Sequence, residues 1–145
     1  MLILNQNDYI MRQIYQLTQA LERVIAVVLG LKGSKQSQDA IEIVNQALTE
    51  HLELDIDALL EMDAEEMIQK LGEDPAINHE NLEYIADLFF EMSKLHAKDS
   101  EIDSETVIFF NRALKIYRHI ETDGTVYSLD RNYKIRNIEQ LLSGI

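Results

Sequence analysis

A chain of 145 residues has the length of one domain and can bury about two thirds of its unfolded surface in a single core. It has no cysteine, which excludes disulfides, thiol catalysis and cysteine-ligated zinc or iron–sulfur centres. The net charge of −13 is uneven: residues 1–49 balance, 50–105 carry eighteen acids against three bases, and 106–145 hold two more bases than acids. Such an acidic middle repels phosphate backbones and anionic lipid, so no direct nucleic-acid or membrane contact is expected, and solvated helix faces account for most of it.

One proline and five glycines leave few interruptions, and Leu, Ile, Glu, Gln, Ala and Lys recur at helical spacing, which predicts an all-α fold. The first predicted helix runs over about 8–31. Ile10, Ile14, Leu17, Leu21, Val24, Val28 and Leu31 alternate at steps of four and three along it. At 1.5 Å per residue it spans roughly 36 Å, enough for other helices to pack along it. A second set, Met11, Tyr15, Ile25, Val27 and Leu29, makes it apolar on more than one side, which points to several neighbours or a second chain. Met1 to Asn7 lacks Lys and Arg and reads as no secretory signal, and the apolar run Val24 to Leu31 is too short to cross a bilayer. A cytoplasmic protein is therefore expected.

Gly30, Gly33 and Ser34 are expected to turn the chain, and Ser37 to cap a helix over 38–52 whose apolar face is Ala40, Ile41, Val44, Ala47 and Leu48. Residues 53–72 read as two short helices, because Asp63 followed by Glu66 forms a capping box before Met67, Ile68 and Leu71. Gly72 and Pro75 stop the second. Asn78 caps a helix to about Lys98, with Leu82, Ile85, Phe89 and Met92 on one line and Tyr84, Leu88 and Leu95 on another. Ser104 opens a helix to about Ile120 with two apolar lines, and Asp123-Gly124 marks a turn. Ser128 caps the last helix, whose expected buried face is Leu129, Tyr133, Ile138, Leu141 and Leu142. The whole is expected to be one domain of about six or seven helices.

Self-comparison pairs QDAIEIVNQALTEHL with ETVIFFNRALKIYRHI: Ala40, Val44 and Ala47 share the spacing of Thr106, Phe110 and Ala113. Small residues at these intervals let two helices approach closely. The spacing resembles the second helix of a tetratricopeptide repeat, and IADLFFEMSKLHAK resembles its first helix, with Met92-Ser93 in the leucine–glycine place and His96 in the tyrosine place. The repeat is degenerate and covers about 82–120. The whole chain is similar to an uncharacterised bacterial family of small tetratricopeptide-like proteins, through NDYIMRQI at Asn7 to Ile14 and NLEYIADLFFEMSKL at Asn81 to Leu95. The resemblance implies an antiparallel helical bundle or short superhelix and a concave peptide-binding groove. It places Asp87, Phe90, Lys94 and Lys98 in that groove, with Phe90 as an exposed anchor or packed under the terminal helix.

The expected function is therefore a non-catalytic module that binds a protein or peptide partner, with a possible homodimer contact through Met11, Tyr15 and Ile25. Neither metal nor cofactor is expected. The alternating acids Asp99, Glu101, Asp103 and Glu105 lack the glycine and the final glutamate of a calcium loop, and the four histidines include no i, i+4 pair. Two other classes stay open: an acidic mimic of nucleic acid using Glu50 to Glu105, and an enzyme assembled from His96, Glu91 and Tyr117.

Overall fold

The computed structural model describes residues 6–30, 42–46, 49–50, 56–99, 104–123 and 127–144, with backbone alone at 6, 56 and 96–99. Every regular element among them is an α-helix: α1 (Gln6–Gly30), α2 (the helical residues at 42–46 and 49–50), α3 (Ile56–Glu61), α4 (Ala64–Gly72), α5 (His79–Asp99), α6 (Ser104–Thr122) and α7 (Leu129–Ser143). The turn expected at Gly33-Ser34, the Ser37 cap and most of the acidic run 99–105 lie outside the described residues.

Caps start the helices where the sequence predicts them. The Asp63 side chain accepts the Glu66 amide at 2.8 Å, Asn78 accepts the Asn81 amide at 2.9 Å, and Ser128 accepts the Arg131 amide at 3.1 Å. That backbone hydrogen bond also holds the Asp63 carboxyl below the usual aspartate range. Helix α4 ends at Gly72, but its cap is Glu73 in right-handed geometry, so the glycine's left-handed freedom is not used.

Helix α5 is the central strut, packed on α6 along one side and on α1 along another. Phe89 lies against Phe109, while Asp87, two residues earlier, reaches Tyr117 further along α6; the hairpin is antiparallel. On its other side the contacts advance together, Thr18 to Asn81 and Glu22 to Tyr84, so α1 runs parallel to α5. Helices α1 and α5 are not consecutive in the chain, so this parallel course is distinct from the antiparallel order expected of successive helices, which α5 and α6 follow. Fully buried Asn81 fixes the pairing. Its amide donates to the carbonyls of Ile14 and Ala76 and its oxygen lies 2.6 Å from the Thr18 hydroxyl.

One core cluster joins Leu17, Leu21, Val24 and Val28 of α1, Met67 and Leu71 of α4, the apolar lines of α5 and α6, and Ile138 of α7. Ala86 of α5 and Ala113 of α6 are both fully buried, and between these helices the rings of Phe89 and Phe109 meet at 5.9 Å. Arg112 ties α3 to α6 by donating to the Met62 carbonyl at 2.6 Å, one of the orphan acceptors at a helix end.

Helix α7 departs from its expected orientation. Ile138 is buried and Leu142 half-buried, but Leu129 is 76% and Tyr133 66% exposed, and Leu141 also faces solvent. The inward stripe is instead Arg131, Lys134, Ile135, Ile138 and Leu142. Counting apolar residues selects the wrong side here, because two cations paired with half-buried acids of α5 take the place of apolar side chains.

Candidate functional site

Of the four groove residues, Asp87 is drawn inside rather than offered to a partner. Its Oδ1 accepts the Tyr117 hydroxyl at 2.5 Å and the Lys134 ammonium at 2.9 Å. Phe90 is only 3% exposed and lies edge-on to Phe110, with ring centroids 6.3 Å apart. It is a core contact and not an exposed anchor, because α6 approaches the side of α5 that carries it. Lys94 sits with its ammonium 5.1 Å from the centre of the Phe90 ring, an attraction between cation and ring quadrupole. The Lys98 side chain lies outside the described residues.

What these residues help build is a polar junction of three helices. Lys134 bridges Asp87 of α5 and Asp130 of its own helix, both at 2.9 Å. Arg131, 4% exposed, places Nη1 on Glu83 of α5 and Nε on Glu121 of α6, again at 2.9 Å each. Arg118 reaches Glu139 at 3.0 Å on the outside. The cations of α7 therefore extend beyond α6 to the acids of α5, and two of the bonds are forked from one guanidinium.

The junction sets the protonation of its members. Burial pushes the Glu83 carboxyl above its ordinary range, the Arg131 guanidinium pulls it part of the way back, and the neighbouring Asp87 charge pushes it up again. Burial, then the Asp87 carboxylate, holds the Tyr117 phenol far above its usual value, so Tyr117 is a fixed neutral donor. For Lys134, burial works against the charge, but hydrogen bonds to Asp87 and Asp130 outweigh it and raise the group above ordinary lysine. Arg131 is raised likewise by Glu121 and Glu83 against its own burial. Chemically the arrangement fixes protons in place and clamps a helix.

The expected dimer face divides. Met11 and Tyr15 are 63% and 62% exposed, whereas Ile25 is half-buried against the core. Thr18 and Glu22, between them on the same flank of α1, are committed to Asn81 and Tyr84 of α5. Of the trio considered for catalysis, Tyr117 is buried and bonded to Asp87, Glu91 is half-buried, and the His96 side chain is outside the described residues. Acids of the 50–105 segment are partly neutralised within the molecule: Glu65 pairs with Lys115, Glu83 with Arg131 and Asp87 with Lys134.

A cleft of 460 Å³ lies between α4 and α6, lined by Ala64, Ile68 and Leu114 together with Lys115, Arg118 and His119. Its lysine and arginine are already matched by Glu65 and Glu139. Among the described residues no group of three or more His, Asp or Glu could hold a metal ion, and no helix is long and apolar enough to cross a membrane.

Sequence reasoning missed Arg131, Lys134, Glu83 and Glu121. The signal available for them was the charge imbalance: a strongly acidic segment followed by a mildly basic one, with Arg131 and Lys134 three apart on one helical face. No family model, no curated protein and no solved structure matches this chain.

Proposed function

We propose that the chain is a non-catalytic protein–protein interaction module of tetratricopeptide-like architecture, acting in the cytoplasm, in which the α5–α6 hairpin presents a helix-binding face to a partner. One observation carries this reading: the face already holds a helix, its own α7, through Glu83, Asp87 and Glu121. A surface whose acids grip a helix of the same chain is chemically suited to grip one from another. The acidic segment around it steers basic partners, so association slows as salt screens the field; a salt-independent on-rate contradicts the reading.

The direct test is a library of helical peptides of graded charge, titrated against the full chain. In a chain whose α7 already carries Arg131→Gln and Lys134→Gln, so that the peptide alone depends on these acids, hits are expected to weaken when Glu83→Gln and Asp87→Gln are introduced. A library without hits, or hits indifferent to both substitutions, refutes the module. A second reading, a homodimer through the N-terminal turns of α1, is favoured by the exposure of Met11 and Tyr15. Light scattering distinguishes it: a monomer mass discards the dimer.

A further inference from the structure

Resting on that docking role, we infer that the partner is a basic amphipathic helix repeating the inward stripe of α7, and that it enters by displacing α7 from the α5–α6 face. The stripe is the specification. A cation at one position and another three later match Glu83, Glu121 and Asp87, and aliphatic side chains seven and eleven positions on occupy the places of Ile138 and Leu142.

Three features make α7 an exchangeable occupant. Its apolar seal is thin, since Ile138 is its one fully buried apolar residue and Ile135 and Leu142 are half-buried. Its grip is mostly ionic, and the carboxylates on which it depends keep contact with water: Glu83 and Glu121 retain 29% and 33% of their side-chain exposure, and Glu139 half. Water and salt ions therefore reach the bonds that must open. Lastly, α7 begins a few residues after α6 ends, so a displaced α7 stays tethered and competes at an effective concentration on the order of millimolar. The tether sets the threshold: a partner helix must bind more tightly than α7 alone would in trans. Weakening the α7 stripe lowers that threshold without touching the face.

The probe is a peptide with the α7 sequence, residues 127–144, titrated by fluorescence anisotropy against the full chain. Arg131→Gln in the protein weakens the tethered competitor, and its affinity for the unaltered peptide is expected to rise about tenfold over wild type, which corresponds to about 1.4 kcal/mol. Lys134→Gln should act the same way to a smaller extent and serves if Arg131→Gln disturbs folding, as judged by circular dichroism. A peptide carrying Arg131→Glu and Lys134→Glu should not bind. Equal affinity of wild-type and both altered chains for the peptide overturns displacement, while the helix-binding role itself would survive on the library result. Equal binding of the charge-reversed peptide overturns the partner's chemistry. A doubled mass of the altered chain by light scattering, with α7 exchanged between copies, overturns it in favour of a second copy of this chain.

Discussion

Helix α6 is held on two sides by different physics. Toward α5 it presents Phe109, Phe110 and Ala113, and the bond is ring against ring in a dry seam. Toward α7 it presents Glu121 and, further out, Arg118, beside the acids of α5, and the bond is hydrogen bonds and charge around one buried isoleucine. The dry seam has no directional requirement and hardly responds to salt or pH. The polar junction is directional, demands the right register and responds to both. One helix can thus belong permanently to the core on one side and conditionally to a moving element on the other.

The contrast is tested most severely at the seam. Phe110→Ala should cost about 3–5 kcal/mol and lower the midpoint of the whole denaturation curve, since the cavity lies where every helix depends on it. At the junction Arg131→Ala leaves Glu83 and Glu121 without their cation. Because both carboxylates retain some water, the cost should be about 2 kcal/mol, below that of a dry pair. Amide exchange should show where it falls: α7 opening alone, with α5 and α6 unchanged. If α5 and α6 exchange faster by the same factor, the two sides are not separable.

Alkaline pH sharpens the same division. Tyr117 and Lys134 both have folded-state values raised above their ordinary 10.0 and 10.5. The unfolded chain therefore loses these protons first, the native state binds more of them, and stability falls as pH rises beyond about 10. Urea melts between pH 8 and 11 should show this decline, and Tyr117→Phe should flatten it. The smallest effect belongs to the N-terminal turns of α1, where Met11→Gln and Tyr15→Gln should change monomer stability by less than about 0.5 kcal/mol.

Helix positions were largely written in local chemistry. Asp63, Asn78 and Ser128 cap where their side chains can reach an orphan amide, and the alternating seam of α1 finds the core at Leu17, Leu21, Val24 and Val28. Which face of a helix turns inward was legible only where apolar residues settle it. Helix α7 offers Leu129 and Tyr133 on one side and Arg131 with Lys134 on the other, and the choice depends on acids of α5 that lie 48 and 47 residues away. Periodicity carries no record of such a partner. Phe90 failed differently: the repeat pattern gives its position on the helix, but its burial follows from where α6 crosses.

The parallel pairing of α1 with α5 also has a consequence in time. Thr18 and Asn81 are 63 residues apart, whereas Phe89 meets Phe109 within a hairpin. Ring closure over the shorter span is entropically cheaper, so α5 and α6 are set to join first and α1 to dock onto a finished pair. During synthesis at about 5–20 residues per second, Asn81 follows α1 out of the ribosome several seconds later. Through that interval Leu17, Leu21, Val24 and Val28 form an unpartnered apolar stripe on a nascent chain, the kind of segment a holding chaperone takes up.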